Sequence, residues 1–286
     1  MRWTPGADNS NVEDRRGQGG AGMGRGIGLG GGAILLVLSL VFGHNFFNDV
    51  AVDPNAPASA TATSGTGAPV AESPAEHQEV EFVTYVLDDV QSTWTKILAA
   101  QGVRYPDAKL VLFRNSVESA CGVAQTASGP FYCPVDHKVY IDLGFYEELR
   151  NKFGAPGQFA QAYVLAHELG HHVQDVLGTD ARVRQLEESR PQQANQLSVR
   201  LELQADCYAG IWANTTQQRR LLDAGDIDQA LVAASAVGDD RIQVQETGSV
   251  HPESFTHGTA AQRATWFKRG FTSGNPQSCD TFAGAI

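Results

Sequence analysis

The chain has 286 residues, 42% of them hydrophobic, and a formal net charge of −11 at pH 7. This length allows one large or two small domains with a real hydrophobic core. The acidic balance and the lack of a basic stripe in the sequence argue against nucleic acid as a partner. The four cysteines form no C-x-x-C pair, which disfavours a structural Cys-rich zinc site.

Near the N-terminus, residues 26–47 predict a single transmembrane helix. No Asp, Glu, Lys or Arg occurs between Arg25 and Asp49, and a helix over this range would be about 33 Å long, enough to span a bilayer. Arginines precede the segment and aspartates follow it. The positive-inside rule therefore predicts a cytoplasmic, Gly-rich polar tail over residues 1–25 and an exported C-terminal part. A cleaved signal peptide is the alternative.

The next segment, residues 48–78, is rich in Pro, Ala, Thr and Ser and has no apolar periodicity. Such a composition cannot bury enough surface to fold, so we expect a disordered tether. The folded domain is predicted over residues 79–286.

Within this domain the predicted elements are mainly helices with a small sheet. Apolar residues recur at helical spacing from Val80 until Gly102. KLVLFR and HKVYIDL, at 109–114 and 137–143, are predicted strands. Further helices are predicted at 159–178, 196–216, 226–237 and 259–271. The sequence thus indicates an α+β fold in which the sheet precedes the helix at 159–178.

This helix contains the sequence AHELGHH at 166–172. His167 and His171 are four residues apart, so on a helix they lie on one face, where both can bind one Zn²⁺. Glu168 lies beside them, in the position of a base that activates water. A solvated, His-rich helix face is the alternative, but Leu165 and Leu169 indicate a buried helix. The motif predicts one zinc ion per chain.

A catalytic zinc usually takes three protein ligands, and the sequence ELQAD offers the third. Glu202 and Asp206 are again four residues apart in a predicted helix. Glu202 is the predicted ligand, whereas Asp206 is expected to accept the free N–H of a ligand histidine. A solvated acidic helix face is the alternative, but Leu203 and Tyr208 between and beside the acids indicate burial.

Several segments together resemble a known family, the bacterial neutral zinc metallopeptidases. They are EDRRGQGG at the head, GPFYCPVDHKVYIDLGFYEEL, AQAYVLAHELGHHVQ, LELQADCYAGIW and SFTHGTAAQRATWF. The resemblance implies a zincin-like catalytic domain of the glutamate-zincin type, with HExxH and a downstream glutamate. It implies a protein or peptide substrate, with Glu168 as the general base. By similarity to related enzymes, His257 is the candidate donor to the oxyanion; a histidine next to a helix N-cap is the alternative.

Three further expectations concern residues around this site. His172 points about 100° away from its neighbour His171 and is expected to support the site or belong to the core. His137 shows no partner pattern and is expected at the surface. Zincins hold substrate as an added strand along a sheet edge, and KVYID is the predicted edge; an ordinary core strand is the alternative.

The cysteines are predicted to pair as Cys121–Cys133 and Cys207–Cys279, although four cysteines allow three pairings and the sequence alone does not choose among them. Free buried thiols are expected instead if the domain faces the cytoplasm.

The function predicted from these features is a zinc metallopeptidase, anchored in the cell membrane through residues 26–47, with an extracytoplasmic catalytic domain. A zinc-containing module that binds a peptide or partner without turnover is the alternative. The sequence has neither G-x-S-x-G nor a P-loop, which disfavours a serine hydrolase or a phosphate-binding enzyme.

Overall fold

The computed structural model describes residues 1–17, 70, 72–125, 128–284 and 286. Within them the fold is mixed α+β and mostly helical, as predicted. The helices in these residues are α1 (Pro74–Ala99), α2 (Gly144–Asn151), α3 (Gln158–Val176), α4 (Thr179–Ser189), α5 (Ala194–Gln218), α6 (Asp226–Ala236), α7 (Asp239–Thr247) and α8 (Ala260–Ser273). The strands in these residues are β1 (Val12–Asp14), β2 (Lys109–Phe113), β3 (Ser116–Ser119), β4 (Gly122–Gln125), β5 (Phe131–Cys133) and β6 (Lys138–Asp142).

The main sheet has the strand order β1-β2-β6-β5. β2 is parallel to both β1 and β6, whereas β5 is antiparallel to β6. β3 and β4 form a separate antiparallel hairpin. The strand KVYID is β6 and lies inside the sheet, so the prediction that it forms the edge was wrong. The two edge strands are β1 and β5, whose three residues each are too few to show a periodic pattern.

Both faces of β6 are covered, and the predicted alternation of its side chains is confirmed. Val139 and Ile141 belong to the large core that the helices form, while Tyr140 belongs to a smaller cluster beneath the hairpin. Helix α3 lies in the large core and packs against α1, α5 and α6. Because α3 is buried in this core, most of its side chains are shielded from water.

Helices α5 and α8 approach each other through two glycines. A Cβ atom placed on Gly270 would lie 1.9 Å from the carbonyl oxygen of Cys207, and one on Gly210 would lie 2.1 Å from that of Phe267. Real Cβ atoms do not tolerate such distances, so only glycine allows these backbones to touch. The contact brings the side chains of α8 against those of α5.

Residues 1–17 differ from the predicted separate tail, because they lie against the domain. β1 extends the sheet beside β2, and Trp3 packs on Phe82 with ring centroids 5.4 Å apart. The Arg16 side chain is buried and forms ion pairs with Asp14 at 2.6 Å, with Glu72 at 2.8 Å and with Glu76 at 2.9 Å. The three-residue strand has a single apolar residue, Val12, which is too weak a signal to predict a strand.

The predicted tether also ends earlier than expected. α1 begins at Pro74 rather than near Val80, because Ser73 caps the helix by accepting a hydrogen bond from the backbone N–H of Glu76 at 3.2 Å. Proline at the first helical position and serine before it are typical start signals. The predicted membrane helix at 26–47 lies outside the described residues; among those that are described, no helix is long and apolar enough to cross a bilayer.

Both predicted disulfides are confirmed. Cys121 is bonded to Cys133, with Cα atoms 5.8 Å apart, and Cys207 to Cys279, with Cα atoms 5.6 Å apart. The second bond joins α5 to the short 3₁₀ turn near the C-terminus. The free-thiol alternative is therefore excluded in this structure.

Candidate metal centre

The two histidines of HELGH lie one turn apart on α3 and face Glu202 on α5. Nε2 of His167 is 3.1 Å from one carboxylate oxygen of Glu202, and Nε2 of His171 is 3.4 Å from the other. The three predicted ligands therefore come together in a group that could hold a metal ion. His167 is buried, whereas His171 and Glu202 are half-buried, so the group has access to solvent on one side.

The other ring nitrogen of His167, Nδ1, forms a hydrogen bond with Asp206. His167 Nδ1 lies 2.8 Å from Asp206 Oδ1, and because a carboxylate only accepts, Nδ1 carries the proton. In the neutral ring Nε2 then presents a lone pair to Glu202. Asp206 thus has the orienting position that the sequence predicted.

His171 is oriented in the same sense by Gln174, which the sequence analysis did not identify. The amide nitrogen of Gln174 donates to the carbonyl of Leu201 at 2.7 Å, so the amide oxygen must face His171 Nδ1, 2.8 Å away. His171 therefore donates from Nδ1, and its Nε2 also presents a lone pair. Gln174 could have been found as the polar residue three positions after a ligand on the same helix.

The donor set fits a zinc ion. Two Nε2 lone pairs and a carboxylate are all acceptors, and a cation is needed between them. Two imidazoles and one carboxylate are the ligands of one known class of catalytic zinc site. We conclude that the residues present at this site suit Zn²⁺.

The electrostatics of the site also favour a cation. Burial alone would lower the pKa of His167, but Asp206 and Glu202 outweigh it and raise that pKa to about 10. Without a metal, Nε2 of His167 therefore binds a proton between itself and Glu202, and a metal ion would take the place of that proton. Burial would raise the pKa of Glu202, yet the charges of His171 and His257 hold it well below its ordinary value. The carboxylates stay ionised and attract positive charge to the space between the ligands.

A buried arginine on α8 neutralises Asp206. Arg263 contacts both oxygens of Asp206, at 2.9 and 3.0 Å, and Tyr163 donates to the same carboxylate at 2.5 Å. Arg263 is 4% exposed and Asp206 is 0% exposed. Each charge is therefore stabilised by the other rather than by water. Sequence reasoning missed Arg263, although an arginine among the apolar residues of AAQRATWF is the signal that could have identified it.

Gly170 of HELGH lets α3 and α5 come close enough to form the site. A Cβ atom there would lie 3.0 Å from the carbonyl oxygen of Ala205 and 3.1 Å from its Cα. These contacts are tighter than side chains normally make, so a larger residue would push α5 away. Glycine at this position therefore sets the distance between the histidines and Glu202.

The comparisons with known proteins agree with this site. The family described as "Putative neutral zinc metallopeptidase" matches residues 1–282. The chain belongs to this family. It is 46% identical to "Uncharacterized protein YpfJ" of Escherichia coli K12, over the full length of both chains. It is also 46% identical to "Uncharacterized protein Rv2575" of Mycobacterium tuberculosis H37Rv, over 69% of each chain. No solved structure was found to match, and the zincin-like fold remains a prediction.

Glu168, the base expected in this zinc metallopeptidase family, is buried next to His167, with 8% of its surface exposed. Tyr146 is close enough for the charge of Glu168 to affect it: burial, then the charges of Glu79 and Glu168, raise the pKa of its hydroxyl. That hydroxyl is buried without a hydrogen-bond partner among the described residues. The surroundings of Glu168 are thus largely dry, which strengthens any charge interaction there.

His257 precedes α8 and is held by Asp239. Asp239 accepts hydrogen bonds from the backbone N–H groups of Thr256, His257 and Gly258, and lies 3.3 Å from His257 Nδ1. Burial lowers the pKa of His257, but Glu202 and then Asp239 outweigh it and raise that pKa. Thr259 caps α8, so His257 also lies next to a helix N-cap, as the alternative has it.

Proposed function

We propose that this protein is a zinc-dependent peptidase that hydrolyses peptide bonds in protein or peptide substrates. The observation that carries the proposal is the convergence of the two Nε2 lone pairs on Glu202, beside the buried carboxylate of Glu168. Membership of the family supports peptidase activity at the level of the family.

The residues divide the chemistry among them. A zinc ion bound by His167, His171 and Glu202 would supply a Lewis acid for water and for the scissile carbonyl. Glu168 accepts the proton of the attacking water and passes it to the leaving amine. Asp239 fixes the Nδ1 side of His257, and in the protonated ring, which the raised pKa of His257 favours, the opposite nitrogen would donate to the oxyanion.

We propose that the substrate binds as an additional strand along β5. Support comes from two observations: β5 is one of the two edge strands of the sheet, and Tyr132 in it contacts His172, next to the predicted ligand His171. An extended peptide on this edge would lie along the helix that carries HELGH.

The test of the catalytic proposal compares the full-length chain with Glu168→Gln and with Glu188→Gln, a control at an exposed glutamate on α4. All three are expected to retain zinc at the site, because neither glutamate is a ligand. Cleavage of unfolded casein should fall at least about 100-fold in Glu168→Gln only. Zinc binding without cleavage by the wild type would favour the non-catalytic binding module, and absence of zinc would refute the proposal.

Attachment to the cell membrane through residues 26–47 is a separate proposal, supported by their sequence. An extracytoplasmic domain would suit the two disulfides. However, the pairing of β1 with β2 requires residues 1–17 to lie on the same side of a membrane as the domain. The combination of a cytoplasmic location for residues 1–17 with an extracytoplasmic domain is incompatible with that pairing.

The two arrangements can be distinguished by introducing cysteine at two exposed positions, Asn9 and Lys268. Intact cells would be treated with a membrane-impermeant thiol reagent. Labelling at both positions places both segments outside, as the β1–β2 pairing requires. Labelling at Lys268→Cys alone would support the single crossing predicted from the sequence.

A further inference from the structure

We propose that His137, His172 and Asp175, together with the hydroxyl of Tyr132, form a second binding site for a divalent ion of the zinc class. The ligand atoms of His137, His172 and Asp175 lie within 4.8 Å of one another, and the hydroxyl of Tyr132 contacts all three. Tyr132 Oη lies 2.8 Å from His172 Nδ1, 2.8 Å from Asp175 Oδ2 and 3.2 Å from His137 Nδ1. His137 Nδ1 is itself 2.8 Å from Asp175 Oδ2.

The hydrogen bonds of this cluster assign its protons. His172 Nε2 lies 2.7 Å from the carbonyl oxygen of Pro106, and a carbonyl only accepts, so Nε2 carries the proton. In the neutral ring, Nδ1 then has a lone pair that points at the hydroxyl of Tyr132. Asp175 Oδ2 accepts a proton from His137 Nδ1. A divalent ion would displace that proton and be held by one nitrogen of each histidine and by a carboxylate oxygen, which lie within 4.8 Å of one another.

The first site shares part of this arrangement. There both histidines use one nitrogen as a donor to the protein and turn the other toward a carboxylate oxygen. In the second cluster the carbonyl of Pro106 has the role that Asp206 has in the first. Two imidazole nitrogens and a carboxylate suit zinc, and also nickel and copper, in preference to magnesium or calcium.

Three separate segments supply the ligands. Tyr132 is in β5, His137 is in the turn between β5 and β6, and His172 and Asp175 are three residues apart on α3. His137 has a φ of 56°, in the left-handed region that residues other than glycine seldom adopt. The turn therefore keeps a costly conformation that holds the ring over the cluster.

Solvent can reach the cluster from one side. His172 is buried, Asp175 is half-buried and His137 is exposed. An ion can thus enter past His137 and be bound by side chains that are already in place. His171 and His172 are neighbours in sequence but point about 100° apart, so the two sites lie on different faces of α3.

The bound ion would join the edge strand to the catalytic helix. Tyr132 belongs to β5 and His137 to the turn that follows it, whereas His172 and Asp175 belong to α3. Such a link would fix β5 relative to HELGH, which is where a substrate strand would be received. The second site itself depends on neither zinc nor catalysis at the first.

The test is a zinc titration of the full-length chain after removal of metals with a chelator, with bound zinc counted by elemental analysis. The wild type should bind two equivalents. His137→Ala and Asp175→Asn should each retain one, with affinity at the second site reduced at least about tenfold. His251→Ala, at another exposed histidine, should retain two. Two equivalents in His137→Ala, or loss of one in His251→Ala, would overturn the proposal.

A complementary variant keeps the two sites apart. The double variant His167→Ala/Glu202→Ala should retain one equivalent, and zinc should change the ultraviolet absorbance of a tyrosine because Tyr132 lies at the ion. Adding Asp175→Asn should abolish both effects. No zinc in the folded double variant would refute the second site, whereas a wild type that binds one ion, lost only with His137→Ala, would refute the first.

Discussion

Asp206 accepts the Nδ1 proton of His167 at 2.8 Å while both of its oxygens are held by Arg263. One carboxylate thereby orients a predicted metal ligand and neutralises a buried guanidinium. One substitution at Asp206 tests both roles, because the first is measured as zinc affinity and the second as stability.

Asp206→Asn should weaken zinc binding by about 10- to 100-fold, since the amide no longer fixes His167 as a carboxylate does. It should also destabilise the protein by about 3–5 kcal/mol, because the charge of Arg263 is left buried without its partner. Zinc titration and urea unfolding measure the two effects. Asp228→Asn, at an exposed acid, should change neither; an unchanged zinc affinity in Asp206→Asn would contradict the role given to this residue.

Gln174 provides the corresponding test for His171. Gln174→Leu should reduce zinc affinity by about 10- to 100-fold, because Nδ1 of His171 loses its acceptor. Gln174→Glu restores an acceptor at the same position and should recover most of that affinity. Equal zinc affinity in the leucine and glutamate variants, measured by competition with a chelator, would show that the hydrogen bond does not matter.

Gly270→Ala should destabilise the domain by about 1–3 kcal/mol or more, because its Cβ would overlap the carbonyl oxygen of Cys207. Thermal or urea unfolding gives the size of the effect. Lys268→Ala, at an exposed position on the same helix, is the control and should have little effect. If both variants were equally stable, α5 and α8 would not touch as the structure has them.

Acid should release residues 1–17. Burial would raise the pKa of Asp14, but its hydrogen bonds and charge interaction with Arg16 outweigh this and hold the pKa below its ordinary value of 3.8. The same arginine lowers the pKa of Glu72 below 4.5. Groups with lowered pKa values stabilise the fold above their ordinary values, and this stability is lost as the pH falls through the folded pKa values.

Hydrogen exchange of residues 12–16, corrected for the intrinsic rate at each pH, would follow this release. Protection should be present at neutral pH and lost at about pH 3. Arg16→Gln should expose the same amides at neutral pH. Full protection of these residues in Arg16→Gln would mean that the ion pairs do not hold β1 in place.

Much of the metal centre could be predicted from the sequence, because helical spacing places residues four apart on one face. His167, His171, Glu202 and Asp206 follow from two such pairs, and burial of both helices follows from their apolar neighbours. Gln174 has the right spacing from His171, but its orientation depends on the carbonyl of Leu201 on α5. Arg263 acts through a contact between α8 and α5, and spacing within one helix says nothing about which side chains meet across a gap.

The fold, like the site, could be predicted from the sequence only in part. The long helices and the strands β2 and β6 were predicted because they repeat a pattern over many residues. β1 and β5 have three residues each and are strands only because β2 and β6 are there to pair with them. The position of KVYID inside the sheet depends on β5, and this explains why the predicted edge was wrong.

Some residues that support the site follow its ligands along the chain. The histidines on α3 are synthesised first and Glu202 follows, but Arg263 belongs to the last α-helix of the described chain and Cys279 lies beyond it. Gln204, which contacts Gln174 at 3.1 Å, also donates to the carbonyl of Cys279 at 3.0 Å. A growing chain therefore carries its three predicted ligands before Arg263 and Cys279 exist, so Asp206 and Gln204 gain these partners only after the ligands have been made.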